Sequence, residues 1–363
     1  MKLAPLTQLQ PLPLSAIILS TIFGQQAFAA QELEEITVTA TKRGAQHLQD
    51  IPLSVQAMSG EKLRNIGAGD FNDFFRFIPG LAVFDQGPGD KRYIIRGVNA
   101  TGAGTVGLYL DEVIITGENA QDGGGRQPDI KLFDMERVEV LKGPQGTTFG
   151  SSSLSGTIRY ITNKPNLTEK ELNVRAEITD VDGADLGSQV EAAISLPLID
   201  DVLAVRVAGM YLDQDGFIDN RFSDGVNSDE TTAARISLLY APNDNFSISL
   251  MAMDQDVETD GPAYYNRVDG NGVPLPNNTQ ADLSGNPFED EMNLYTATLE
   301  YPSEIGTVTA TLSRLERDTL FHRAPPPAAG PLSVLTPPTA PQVYRSALRR
   351  ASPRHPSAQA APA

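Results

Sequence analysis

The chain has 363 residues, with 46 acidic and 28 basic side chains, three His, no Cys and no Trp. The lack of Cys excludes a disulfide framework, a thiolate metal site and a cysteine nucleophile, and three His cannot furnish a zinc cluster or a catalytic triad. All 46 acidic residues fall within 31–320, a segment that would repel the phosphates of nucleic acid and so disfavours it as a partner.

Residues 1–30 read as a signal peptide: Lys2 is followed by an apolar run from Leu12 to Phe23 and by the small-residue close Ala27-Phe28-Ala29-Ala30. A membrane-spanning helix needs about 20 apolar residues, and Pro11, Pro13 and the polar run Gly24-Gln25-Gln26 leave too few. No later run is long enough either. If the mature chain enters a membrane, it must do so as a barrel. A short polar segment, 31–44, then carries Glu35, Ile36, Thr37, Val38, Thr39 and Ala40. Its alternating β-branched residues favour extended structure. By itself it fits strand addition to a partner's sheet edge or the first strand of the next domain equally well.

Residues 45–165 mix short helices and strands, an α+β pattern. The pattern predicts helices over 61–66 and 70–77, the second capped by Asp70 and stopped by Pro79-Gly80. Residues 136–142 alternate charge with Val138 and Val140, a strand with one apolar face that ends at the Gly143-Pro144 turn. Glycine-rich stretches at 102–107 and 123–125 lack the phosphate-loop pattern and are expected to be loops at the domain's tips. Asp180, Asp182 and Asp185 lack the order of a calcium loop and read as a solvated turn. No catalytic residue, metal site or cofactor is expected.

Five motifs follow one another across this region: Ile51-Pro52, Ile78-Pro79-Gly80-Leu81, Ile94-Ile95-Arg96-Gly97, Gly107-Leu108-Tyr109-Leu110-Asp111, and Arg137-Val138-Glu139-Val140-Leu141-Lys142-Gly143-Pro144-Gln145-Gly146-Thr147. In that order they resemble the plug domain of TonB-dependent outer-membrane receptors. The resemblance implies that Glu35 to Ala40 is the TonB box. It also implies that Pro79, Gly80, Arg96, Gly97, Asp111, Arg137, Glu139, Lys142, Gly143, Gly146, Gly150 and Gly156 form the plug's structural motif. The family's Gly-Gly pair is altered here, Ser155 standing before Gly156, which is expected to be tolerated.

From residue 171 the texture changes to two-fold alternation in segments of about ten residues, the mark of a transmembrane β-barrel. Leu172, Val174, Ala176 and Ile178 alternate with Asn173, Arg175, Glu177 and Thr179, placing the apolar set toward lipid and the polar set toward the lumen. Similar runs at 190–196, 202–212, 234–240, 246–250, 295–301 and 308–315 bring the expected strands to seven. Short connections at 198–201, 241–245 and 302–306 alternate with long ones at 216–229 and 260–290, as periplasmic turns alternate with outer loops. A soluble β-sandwich would offer polar outer faces instead.

The plugged barrels of this family use about 22 strands, so residues 166–320 read as only the first part of one. Residues 321–363 hold no acidic residue and ten Pro, and are expected to be an aberrant or disordered tail outside the barrel. A frameshift near Thr319 or a genuine Pro-rich tail would each produce it. Two expected ion pairs join plug to wall, with Arg96 and Arg137 meeting inward Glu177, Glu191 or Glu300.

The resemblance implies uptake of a scarce nutrient, most often a ferric siderophore, across the outer membrane of a Gram-negative bacterium. The implied partners are TonB with ExbB and ExbD, outer-membrane lipid, and a small nutrient or metal chelate. The alternative is a truncated, non-transporting relic or TonB-binding module.

Overall fold

The computed structural model describes residues 37–39, 46–47, 51–85, 91–100, 104–116, 127–220, 223–243, 245–269, 271–281, 287–303, 306–323 and 342–347. The expected signal peptide, 1–30, lies outside the described residues, as do Glu35, Ile36 and Ala40.

The two-residue strand β1, Thr37–Val38, pairs antiparallel with β2, Gln46–His47. Strand β3, Val55–Ser59, runs into helix α1, Gly60–Asn65, where the Ser59 hydroxyl accepts from the Lys62 amide. Helix α2, Phe71–Phe74, begins at Asp70 as the sequence predicts. Asp70 accepts from the Asn72 amide while Asp73 reaches back to the Asp70 amide, a reciprocal cap. A 3-10 turn, Phe75–Phe77, completes the expected helical stretch. Phe71 and Phe74 are fully buried and meet edge to face at 5.0 Å, each burial being worth about 1.5–3 kcal/mol.

Strands β4, Leu81–Asp85, and β5, Lys91–Ile95, form a separate antiparallel pair. The remaining plug elements are β6, Val106–Leu110, β7, Val113–Ile114, β8, Met135–Lys142, the short helix α3, Gly146–Phe149, and β9, Gly156–Thr162. They build a five-stranded sheet in the order β3-β8-β9-β6-β7, in which only β6 and β9 run parallel. One expectation fails here. Gly107 belongs to buried β6 rather than to a loop tip, because a Cβ there would lie 2.3 Å from the Ser153 hydroxyl and only a hydrogen fits. Residues 123–125 lie outside the described residues.

Seven further strands follow in sequence order, each antiparallel to the next: β10, Glu171–Thr179, β11, Gly187–Ile199, β12, Leu203–Gln214, β13, Asp229–Asn243, β14, Phe246–Thr259, β15, Phe288–Ser303, and β16, Gly306–Arg323. These are the expected seven, several of them longer. An eighth, β17, Gln342–Ala347, pairs with residues 318–323 of β16. The tail therefore contributes to the sheet, contrary to the expectation for 321–363. An open edge offers unpaired amides and carbonyls to any extended segment that reaches it, whatever its side chains.

The apolar set on β10 does face outward: Leu172, Val174 and Ile178 are exposed, while Arg175 and Glu177 on the other face are partly covered. Val207, Ile236, Tyr295 and Leu312 continue this outer band on later strands. The inner face departs from the expected polar lining. At the height of the plug it presents Met210, Met251, Met253, Met292 and Leu294, which join the plug's core, because that part of the lumen is filled with protein rather than water. Beyond the apolar band, outward Glu230, Glu258 and Glu289 stand directly opposite one another on β13, β14 and β15. Like charges so placed repel, which fits a row standing in water.

Candidate functional site

Two places join elements far apart in sequence: the seat of residues 38–39 on the plug sheet, and the seam between plug and wall. Strand β8 supplies the first. Its Val138 and Val140 point into the main core, as the alternation predicts. The opposite face, with Arg137 and Glu139, is buried as well, and Val38 and Thr39 lie against it.

Val38 is fully buried in a small second core with Ile51, Tyr109, Leu141 and Phe149. Next to it the Thr39 amide donates to Glu139 Oε1 at 3.1 Å, and the Thr39 hydroxyl accepts from Arg137 Nη2 at 3.3 Å and Arg159 Nη1 at 3.0 Å. Glu139 is the hub. It accepts from Arg137 Nε at 2.8 Å and Arg159 Nη1 at 2.5 Å, while Arg159 also reaches Glu112 at 2.8 Å and Arg137 pairs with Glu136. A buried charge without partners is expensive, and here each guanidinium has two carboxylates. Registry produces the arrangement, since Glu139 and Arg159 are direct cross-strand neighbours on β8 and β9.

Sequence reasoning singled out Arg137 and Glu139 but missed Arg159 and Glu112. A lone charge inside the apolar run Ile158-Arg159-Tyr160-Ile161 was the available signal. The expected pairing of Arg137 with wall glutamates is corrected: its carboxylates, Glu136 and Glu139, lie on its own strand. Glu177 and Glu191 instead flank Arg175 on the wall, and Glu300 is exposed. Arg96 is exposed at φ 52, followed by Gly97 at φ 74, and makes no ion pair among the described residues.

The remaining motif residues shape turns. Lys142 Nζ donates to the Pro79 carbonyl at 2.6 Å, tying β8 to the turn at Gly80. Asp111 accepts from the Thr162 amide at 3.0 Å and hydroxyl at 2.8 Å and pairs with Lys164 at 3.0 Å. Burial opposes ionisation of Asp111, but Lys164 and the Thr162 donors outweigh it and hold its carboxyl below the ordinary value. Gly146 opens α3 and Gly150 follows it at φ 72. The Gly143 amide donates to the Ser155 carbonyl, and the Ser155 amide and hydroxyl both donate to the Thr105 carbonyl, so serine is accommodated at that position. Gly156, at φ 155, sits where a Cβ would fall 2.3 Å from the Leu141 carbonyl oxygen.

At the seam, residues 127–134 form a strap between plug and wall. On the plug side the Gln127 amide donates to the Lys91 carbonyl, the Leu132 amide to the Gly69 carbonyl, and the Tyr93 hydroxyl to the Pro128 carbonyl. On the wall side Lys131 Nζ meets Asp229 at 2.6 Å, and Gln255 bonds both the Lys131 amide and the Asp129 carbonyl. Asp134 accepts from Arg206 at 2.8 and 2.6 Å and from Arg235 at 3.0 Å, with the Arg235 guanidinium 4.9 Å from the Phe133 ring centre. Burial pushes the Asp134 carboxyl up, but Arg206, Arg235 and Asn163 together bring it below its ordinary value. The wall thus presents arginines to a plug carboxylate, the reverse of the expected polarity. Among the described residues no group of His, Cys, Asp and Glu could hold a metal, and the turn at 180–186 joins β10 to β11.

Residues 47–157 match the family of the TonB-dependent receptor plug domain. The chain is similar to the pesticin receptor of Yersinia pestis, 26% identical over 245 residues that make up 66% of this chain and 34% of that protein. It is also similar to the iron-regulated outer membrane virulence protein of Vibrio cholerae, 27% identical over 258 residues, 68% of this chain and 38% of that one. Its fold resembles the ferripyoverdine receptor of the Pseudomonas aeruginosa outer membrane, with TM-score 0.65 and 19% identity over 82% of this chain and 38% of that one. It likewise resembles the ferric yersiniabactin uptake receptor of Yersinia pestis, with TM-score 0.61 and 19% identity over 76% and 42%. The chain spans just over a third of the length of these curated relatives.

Proposed function

We propose that this chain, which carries the plug domain and opening barrel strands of a TonB-dependent outer-membrane receptor, serves the active uptake of a ferric siderophore. Residues 35–40 are its TonB box. TonB, energised by ExbB and ExbD, pairs with the box by strand addition and pulls the plug open.

The observation that carries this reading is the seat of Val38 and Thr39 on Arg137, Glu139 and Arg159. A two-residue strand held by side chains, rather than by a long ladder, can be exchanged for a partner's sheet edge. A pull on Thr39 also acts directly on β8 and β9, the central strands of the plug. The iron cargo is supported by the relatives' names, which describe an iron-regulated receptor and receptors for ferric yersiniabactin and ferripyoverdine. A vitamin B12 transporter of Vibrio vulnificus is also among the relatives, at 28% identity over 236 residues, so cobalamin is the competitor to test. Outer membranes from cells with and without the receptor, titrated with radiolabelled ferric siderophores and cobalamin, decide between them. Saturable binding of a ferric siderophore alone supports the reading; saturable binding of cobalamin alone replaces it.

A further inference from the structure

Beneath the strap lies a group of charges that neither box seating nor wall attachment uses. Lys91 Nζ, on β5, is 2.9 Å from Asp85 on β4, 3.5 Å from Asp129 on the strap and 3.6 Å from Asp70 at the cap of α2. Asp73 of α2, Lys131 with its wall partner Asp229, and the phenols of Tyr93 and Tyr160 complete the surroundings. Lysine charge is too small here to neutralise every carboxylate, since Lys91 faces Asp70, Asp85 and Asp129 while Lys131 is engaged by Asp229.

Asp129 is the exceptional member. It is fully buried, and neither of its carboxylate oxygens receives a hydrogen bond. An ionised carboxylate without donors in such a place is unfavourable by several kcal/mol. A proton resolves this, because a neutral Asp129 carboxyl can donate to the Asp70 carboxylate. The two acids, each within 3.6 Å of Lys91 Nζ and within hydrogen-bond reach of one another, then share one proton.

We propose that the plug contains a proton-operated latch, in which the proton shared by Asp129 and Asp70 beside Lys91 holds the strap 127–134 on the plug and its loss loosens the strap. On deprotonation the Asp129 O–H bond breaks and the proton leaves to water by way of Asp70 and Asp85, which are partly exposed. Asp129 then bears a charge that repels Asp70 and Asp85. The strap is the element that also grips Asp229, Gln255, Arg206 and Arg235 on the wall, so its loosening reaches the seam.

The titration agrees with the geometry. Burial, opposed by Lys91 and reinforced by Asp70, pushes the Asp129 carboxyl up to about 8. For Asp70 burial acts the same way, but Lys91 and Lys131 outweigh it and keep that carboxyl below its ordinary value. A carboxyl raised in the closed latch holds a proton that the opened strap releases, so the latch is at full strength below the ordinary value of 3.8, weakens as pH rises from there toward the raised value, and loses nothing further above it.

Pulse hydrogen exchange on the full chain in detergent micelles, read at the amides of 127–134 and corrected for intrinsic rates, tests this. Wild type should lose protection as pH rises toward about 8, by up to about tenfold per pH unit as single-proton linkage requires, and should level off above it. Asp129→Asn, which mimics the protonated form, should keep its protection across the range. Asp70→Asn removes the nearby negative charge that helps to raise Asp129 and should move the levelling-off to lower pH. Flat protection in wild type below about 8, or the same pH-dependent loss in Asp129→Asn, overturns the proposal.

Discussion

Replacing Thr39 by valine keeps the shape and β-branching of the box but removes the oxygen that accepts from Arg137 at 3.3 Å and Arg159 at 3.0 Å. A hydrogen bond to a charged group contributes about 1.5–3 kcal/mol. Both guanidiniums retain carboxylate partners, and the Thr39 amide keeps its bond to Glu139, so the combined loss sits at the low end, about 1.5 kcal/mol. If TonB takes the box only when it is unseated, apparent affinity scales with the unseated fraction, and that loss corresponds to about tenfold tighter binding. Calorimetry of TonB's C-terminal domain against the full chain in detergent measures the change. A peptide spanning residues 33–42, with and without the substitution, controls for direct effects on TonB. Tighter binding to the substituted chain with unchanged peptide affinity is expected. Equal affinity of the two chains would refute the idea that the seat competes with TonB.

Three more outcomes are expected. Ile36→Pro, which removes a main-chain donor and fixes φ, should weaken TonB binding more than Ile36→Ala, and equal calorimetric affinities would contradict strand addition. The Asp134 carboxyl is depressed in the folded state, so its contribution is complete above its unfolded value near 3.8 and is lost as pH falls. Asp134→Ala should cost about 3 kcal/mol at neutral pH by leaving the buried Arg235 guanidinium without a carboxylate and Arg206 with Glu171 alone, and it should flatten the acid limb of thermal melts below about pH 4. An unchanged acid limb would remove Asp134 from the seam's energetics. Gly156→Ala, forced against the Leu141 carbonyl at positive φ, should destabilise the plug by more than about 2 kcal/mol in urea titration, and a wild-type midpoint would show that the β8–β9 approach is looser than described.

Local signals were legible wherever one side chain decides the structure. Asp70 as cap, Gly80 as stop and the strand through Val138 and Val140 were all readable from spacing, as were the seven wall strands and their alternating turn lengths. What depended on the opposing surface was not. Strand β14 was expected over 246–250 and extends to Thr259, because Met251 and Met253 point inward against the plug core and Val257 is buried on the same face, while Asp254, Asp256 and Glu258 point outward. That reverses the apolar-out pattern used to find it. Nothing in the sequence marks Arg206 and Arg235 within their alternating runs, and only the strap's position shows that they hold Asp134. The seat of Thr39 likewise depends on strand registry between β8 and β9, which one sequence does not disclose.

The central claim is energised uptake of an iron chelate through this receptor. Iron-starved cells with the gene intact, with it disrupted, and with Ile36→Pro should be compared for uptake of the radiolabelled ferric siderophore that their membranes bind. The account predicts uptake in the first strain alone, with surface binding retained in the Ile36→Pro strain. Uptake persisting with Ile36→Pro, or unchanged by disruption of the gene, would contradict it.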